Sequence, residues 1–100
     1  MNETAKPSTP REAERDSVLR LLQRSIRPER TLEILADLIR FKSINPGGTE
    51  GEAAAYVEKT MKAAGCVVEL QEIEPGRPNV LARLKGTGGG RTGILNTHMD

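Results

Sequence analysis

The sequence predicts an α/β fold in which three helices precede three strands, and two observations carry this prediction. Between residues 12 and 64, apolar side chains recur three and four positions apart, which is the period of an amphipathic helix. After residue 65, short runs rich in valine, leucine and isoleucine are separated by glycine and proline, which is typical of strands. We therefore expect a mixed sheet with flanking helices packed against it.

Two helices are expected in the first half of the chain, after a flexible tail over residues 1–12. The first helix covers Glu12–Ile26. The second begins at Pro28, whose fixed φ suits the first turn of a helix, and ends before the turn sequence Asn45-Pro46-Gly47-Gly48. The apolar stripes consist of Val18, Leu19, Leu22 and Ile26 in the first helix and of Leu32, Leu35, Leu38 and Ile39 in the second.

Four arginines in and next to the first helix allow a second interpretation, which is binding to a membrane surface. Glu12 and Asp16 dilute this positive charge, and the helix contains no tryptophan or phenylalanine that would anchor it in lipid. We therefore favour a solvated helix face and expect no binding to liposomes. The arginines are Arg15, Arg20, Arg24 and Arg27.

A third helix is expected to begin at Thr49, because Thr49 and Glu52 have the spacing of a capping box. Gly65 is expected to end it in a left-handed conformation. Its buried stripe would contain Ala53, Val57, Met61 and Ala64.

Three strands are expected to follow the third helix. They cover Cys66–Ile73, Val80–Leu84 and Thr92–Thr97. A break at residues 75–78 separates the first two, and the glycine-rich connection at residues 86–90 separates the last two. Ile94 and Leu95 are adjacent and apolar, as in a strand that is covered on both faces.

Composition excludes several classes of protein. The net charge of +1 provides no basic face for nucleic acid, and no apolar run is long enough to span a membrane. The polar N-terminus does not resemble a signal peptide. Cys66 is the only cysteine, so a reducing compartment and a cytoplasmic location are expected.

The strongest candidate for chemistry is His98 with Asp100, at the end of the last predicted strand. Side chains two positions apart on an extended chain point to the same side, so the Asp100 carboxylate can accept from one ring nitrogen of His98 and leave the other free for a metal. Spacing alone is a weak signal, because a lone histidine is more often an ordinary surface or core residue. Two other candidates are interpreted as structural: Ser43 in a turn, and the Gly86–Gly93 loop, which no helix follows.

Four segments, taken in order, resemble the N-terminal part of a known metallopeptidase family. That family includes aminoacylase, acetylornithine deacetylase, succinyl-diaminopimelate desuccinylase and glutamate carboxypeptidase. The resemblance covers about residues 30–100 and departs at Thr97, where many members have glycine. The similar segments are Leu35–Pro46, Gly51–Val68, Arg77–Ala82 and Gly93–Asp100, which contains Asn-Thr-His-Met-Asp.

The resemblance implies that residues 13–100 are the N-terminal portion of a catalytic domain that is incomplete at its C-terminus. It implies that His98 is a ligand of one ion in a two-zinc site, with Co²⁺ or Mn²⁺ as substitutes, and that Asp100 is the catalytic-site residue that orients His98. It also implies hydrolysis of amide bonds in peptides or N-acyl amino acids by a metal-activated water. The general base and the other ligands would follow Asp100, so the fragment is expected to be inactive alone. A homodimer is one expected state of the full-length protein.

A stand-alone α+β interaction or regulatory module is the alternative interpretation. In that case, His98 and Asp100 would be ordinary polar surface residues. The coding sequence beyond Asp100 distinguishes the two interpretations, because the enzyme requires further metal ligands there.

Overall fold

The computed structural model describes residues 9–47 and 49–100, in which three helices are followed by an antiparallel pair of strands. The predicted α/β class is therefore confirmed. None of the helices in the described part of the chain is long and apolar enough to cross a membrane. The elements are α1 (Pro10–Ser25), α2 (Pro28–Ile39), α3 (Gly51–Ala63), β1 (Val67–Glu74) and β2 (Arg77–Arg83). They belong to two compact units, Met1–Ile34 and Leu35–Asp100, so that α2 begins in the first unit and ends in the second.

Helix α1 begins at Pro10, two residues before the predicted start, because Thr9 caps it. The Thr9 hydroxyl accepts a hydrogen bond from the Glu12 backbone N–H at 3.2 Å, and the Glu12 carboxylate accepts one from the Thr9 N–H at 3.0 Å. This reciprocal pair is a capping box. Residues 10–12 of the predicted flexible tail are thus helical, and residues 1–8 lie outside the described residues.

Helix α2 begins at Pro28, as predicted, and ends at Ile39. The turn predicted around Asn45 and Pro46 is present over residues 45–47, and the Asn45–Pro46 peptide bond is cis. The next residue of that predicted turn, Gly48, lies outside the described residues.

Helix α3 does not begin with the predicted capping box. Its N-cap is Glu50, whose side chain makes no capping hydrogen bond among the described residues, and the helix begins at Gly51. The Glu50 carboxylate instead accepts hydrogen bonds from Arg77 of the hairpin. The core of this unit lies on α3, where Ala53 and Ala54 are 2% and 0% exposed.

Two further predictions about α3 have different outcomes. The helix ends as predicted, because Gly65 adopts a φ of +94° beyond its last turn. The predicted buried stripe is only partly correct, since Met61 is 39% exposed.

Strands β1 and β2 form a hairpin in which Val68 is opposite Ala82 and Leu70 is opposite Val80. The turn contains only Pro75 and Gly76, so the predicted break was too long: Arg77 and Pro78 already belong to β2. Gly76 has a φ of +76°, a conformation that glycine adopts without a steric penalty.

The predicted third strand over Thr92–Thr97 is wrong for the described residues, where these positions have no strand pairing. A strand is stabilised by hydrogen bonds to a neighbouring strand, and here β1 and β2 pair only with each other. The consequence is exposure of the apolar pair: Ile94 is 87% exposed and Leu95 is fully exposed.

Candidate functional site

Arg77 and Glu50 form the centre of a polar cluster in the second unit. Arg77 Nε donates to Glu50 Oε2 at 2.9 Å, and Arg77 Nη2 donates to Glu50 Oε1 at 3.1 Å. Glu50 is buried, with only 8% of its surface exposed. Because bidentate guanidinium–carboxylate pairs fix both distance and orientation, this pair connects the start of α3 rigidly to β2.

The pair shifts the titration of both partners. The hydrogen bonds from Arg77 hold the pKa of the Glu50 carboxyl below its ordinary value, although burial works in the opposite direction. The hydrogen bonds and negative charge of Glu50 raise the pKa of Arg77. The cluster therefore contains a carboxylate and a guanidinium that stay charged at neutral pH.

A close approach of backbone explains how Glu50 reaches the hairpin. A Cβ atom added to Gly51 would lie 3.1 Å from the carbonyl oxygen of Gly76, which is tighter than ordinary van der Waals contact. Glycine at position 51 thus allows the first turn of α3 to lie against the hairpin turn. This places Glu50 next to Arg77.

Asn45 extends the cluster to the C-terminal segment. Its carbonyl oxygen accepts from Arg77 Nη2 at 3.3 Å, and its amide nitrogen donates to Glu50 Oε1 at 3.4 Å. The same nitrogen donates to Asp100 Oδ2 at 3.0 Å. Three separate segments, around residues 45–50, 77 and 100, therefore meet at one amide group.

His98 lies next to Asp100, as the spacing predicted. The distance from His98 Nδ1 to Asp100 Oδ1 is 3.5 Å, so the two Asp100 oxygens face different partners: Oδ1 faces His98 and Oδ2 accepts from Asn45. The side chains of His98 and Asp100 are 91% and 43% exposed. The predicted proximity is present, and the predicted roles in metal binding and catalysis stay predictions.

These side chains lie along an open cleft of about 970 Å³ in the second unit. Its lining combines the polar cluster with apolar side chains from α2, α3 and β2. The apolar part includes Leu38, Ala53, Val57, Val80 and Leu81. A cleft lined by apolar side chains and a few convergent polar groups suits a small ligand with a polar end.

The described residues fit part of a zinc site and not a whole one. His98 could supply one imidazole nitrogen, with Asp100 beside its other nitrogen. Within residues 9–47 and 49–100, however, no three or more histidine, cysteine, aspartate or glutamate side chains converge at metal-binding distances. Catalytic zinc usually has three protein ligands, so other residues would have to complete the site.

Sequence reasoning missed three members of the cluster. Asn45 was interpreted as part of a turn, Arg77 as part of a break, and Glu50 had no assigned role. Asn45 and Arg77 do lie within the segments that resemble the metallopeptidase family. Arg77 lies 27 residues from Glu50 and 32 residues from Asn45 along the chain. No local pattern indicates that these distant side chains meet.

Comparison with known proteins shows a similarity to a deformylase over part of that protein's length. The chain is 32% identical over 75 residues to the N-formyl-4-amino-5-aminomethyl-2-methylpyrimidine deformylase of Halalkalibacterium halodurans. The match covers 72% of this chain and only 18% of that deformylase. No family model matches the chain. No solved structure matches it either. The similarity provides a loose link to hydrolases that act on amide bonds.

Proposed function

We propose that the chain forms part of a zinc-dependent hydrolase of amide bonds, in which His98 is a metal ligand and Asp100 orients it. One observation carries this proposal: the Asp100 carboxylate lies between His98, at 3.5 Å, and the Asn45 amide, at 3.0 Å. Metal-binding histidines commonly donate their second ring N–H to a carboxylate that is itself held by hydrogen bonds.

The proposed division of work follows from the two ring nitrogens of His98. Asp100 Oδ1 lies 3.5 Å from Nδ1, so its negative charge would favour a proton on that nitrogen and leave the Nε2 lone pair available as a ligand. A bound zinc would supply Lewis acidity and an activated water for attack on an amide carbonyl. The apolar side chains that line the cleft would hold the carbon skeleton of the substrate, with its amide near His98.

The proposed substrates are peptides or N-acyl amino acids. The similarity to a deformylase supports removal of a small acyl group from nitrogen. The complete site is proposed to hold two zinc ions, which Co²⁺ or Mn²⁺ can replace, in a cytoplasmic homodimer of the metallopeptidase family described above. The remaining ligands and the general base would come from residues outside this chain.

Hydrolysis by the protein encoded by the intact gene tests the proposal. The purified protein is assayed with N-formyl, N-acetyl and N-succinyl amino acids and with dipeptides, and its zinc content is measured. We expect His98→Ala to abolish hydrolysis and to reduce the zinc content. Asp100→Asn should lower zinc affinity or kcat/KM by about 10- to 100-fold, as other partners of metal-binding histidines do.

A matched control and a contrary outcome complete this test. Gln23→Ala alters an exposed residue of α1 that lies outside the cleft and whose side chain makes no hydrogen bond with any described residue, and it should leave hydrolysis unchanged. Wild-type protein that hydrolyses none of these substrates, or His98→Ala protein with full activity, would contradict the proposal. Either result would favour an interaction or regulatory module instead.

A further inference from the structure

We propose that Asn45 is a positioning residue that fixes the orientation of the Asp100 carboxylate toward His98. This inference rests on the proposed function, because it explains how the His98–Asp100 pair is held. Asn45 Nδ2 donates to Asp100 Oδ2 at 3.0 Å, and Asp100 Oδ1 then lies 3.5 Å from His98 Nδ1. The hydrogen bond joins residues that are 55 positions apart in the chain.

The polarity of the Asn45 amide matches its surroundings on both sides. Its oxygen faces the Arg77 guanidinium, which can only donate, and its nitrogen faces the carboxylates of Glu50 and Asp100, which can only accept when ionised. A carboxylate at position 45 would bring a third negative charge to this point. A purely apolar side chain would leave all three partners without this connection.

Asn45 is itself held by a rigid pair. Arg77 is fixed by two hydrogen bonds to the buried Glu50, at 2.9 and 3.1 Å, and the same Arg77 Nη2 reaches Asn45 at 3.3 Å. The orientation of the amide is therefore set by the contact between α3 and β2. The orientation of the amide determines where its nitrogen lies, and that nitrogen holds the Asp100 carboxylate.

Asp100 needs such support because it lies in a largely exposed segment. No strand pairing holds residues 91–100 among the described residues, and the His98 side chain is 91% exposed. A carboxylate in water rotates freely between several acceptor geometries. The hydrogen bond from Asn45 restricts one oxygen and so leaves the other facing His98.

The tautomer of His98 in the metal-free chain tests this inference. His98 is the only histidine, so its ring nitrogens give unambiguous signals in the ¹⁵N-labelled full chain. At about pH 8.5, where imidazole is neutral, the populations of the Nδ1–H and Nε2–H tautomers are measured. We expect the Nδ1–H form to be enriched in the wild type, because Asp100 Oδ1 lies 3.5 Å from Nδ1. It should fall about fivefold in Asn45→Asp and Asn45→Ala, where the hydrogen bond that holds the Asp100 carboxylate in this orientation is lost.

The control is Gln23→Glu, which makes the same change from amide to carboxylate on an exposed residue of α1 outside the cleft. It should leave the tautomer populations at their wild-type values. Backbone contacts between Val68 and Ala82 report whether the hairpin persists in each variant. An unchanged tautomer in Asn45→Asp with an intact hairpin overturns the inference.

A measurement on the wild type decides the matter if the Asn45 variants lose the hairpin. Nuclear Overhauser contacts between the Asn45 side-chain NH₂ and the protons of Asp100 are expected, and their absence overturns the inference. All these signals are recorded without metal or substrate. A failure to bind zinc or to hydrolyse amides would therefore contradict the proposed function but not the role of Asn45. An unchanged tautomer would contradict the role of Asn45 but not the proposed function.

Discussion

Tyr56 donates a hydrogen bond of 2.7 Å to Asp37, and this contact joins α3 to the last turns of α2. The Tyr56 ring also lies 5.6 Å from the ring of Phe41, between centroids. The two aromatic side chains of the chain thus pack together at the point where the helices meet.

Removing the Tyr56 hydroxyl should weaken this junction. We expect Tyr56→Phe to lower the free energy of unfolding by about 1 kcal/mol, because a hydrogen bond to a charged group is lost while the ring contact is kept. The loss in free energy of unfolding is not larger because the Asp37 side chain is 40% exposed, so water can replace the Tyr56 hydroxyl as its hydrogen-bond donor. Urea denaturation measures it. A double-mutant cycle with Asp37→Ala should give a favourable coupling energy, and a coupling near zero would contradict the assignment.

The pair formed by Glu50 and Arg77 should make stability depend on pH. The pKa of Glu50 is lowered in the folded chain, so the unfolded chain binds more protons around the ordinary pKa of glutamate, about 4.3. The stabilisation is thus fully present above that pH and is lost as the pH falls through the lowered value. Thermal melts between about pH 3 and 7 should show the midpoint dropping at the acidic end, and Glu50→Gln should reduce this drop. A wild-type acid profile that persists unchanged in Glu50→Gln would exclude this pair as its source.

The hairpin turn requires glycine at position 76 because of its backbone conformation. Gly76 has a φ of +76°, and no atom lies within 4 Å of a Cβ built there, so the penalty for a side chain comes from the backbone alone. We expect Gly76→Ala to lower the free energy of unfolding by about 1 kcal/mol. Gly86→Ala is the matched control, since Gly86 has neither a positive φ nor a nearby atom. Equal effects of the two substitutions in denaturant melts would show that the turn does not depend on this φ.

Local patterns predicted the helices and the hairpin because short-range physics determines them. Pro28 begins α2, Gly65 ends α3, and the apolar run after Cys66 forms β1, and each of these signals acts within a few residues. The local signal at Thr49 failed because the N-cap is the next residue, Glu50, whose carboxylate contacts the distant Arg77. No pattern within a few residues indicates that contact.

The candidate site was predictable only where its members are neighbours in sequence. The proximity of His98 and Asp100 follows from their spacing on an extended chain. The contact of Asp100 with Asn45 depends on the fold of the whole second unit, and no periodicity or composition encodes it. The predicted strand over Thr92–Thr97 failed for a related reason, since strand formation requires a partner and not only apolar residues.

The isolated chain should bind zinc weakly. His98 is its only histidine, and no three-ligand cluster is present among residues 9–47 and 49–100. A complete structural zinc site contributes about 10–16 kcal/mol, and a single imidazole provides only a small part of that. Isothermal titration of the metal-free chain should show no saturable binding at micromolar zinc, and His98→Ala should abolish what weak binding exists. A tight complex with one zinc per chain would contradict this expectation.

Substitution of Leu95 should affect this chain and the proposed intact hydrolase differently. Leu95 is fully exposed, so Leu95→Lys should change the free energy of unfolding of this chain by less than about 0.5 kcal/mol and should increase its solubility. Ala54→Lys is the contrasting variant, because Ala54 is 0% exposed and a buried, unpaired ammonium group there would disrupt the packing of α3. The proposed hydrolase requires further strands beside this segment in the intact protein, where burial of Leu95 would make the same Leu95→Lys substitution cost about 2 kcal/mol or more. Thermal melts of both forms measure the difference, and an intact protein that is indifferent to Leu95→Lys would show that residues 92–97 do not form a covered strand there.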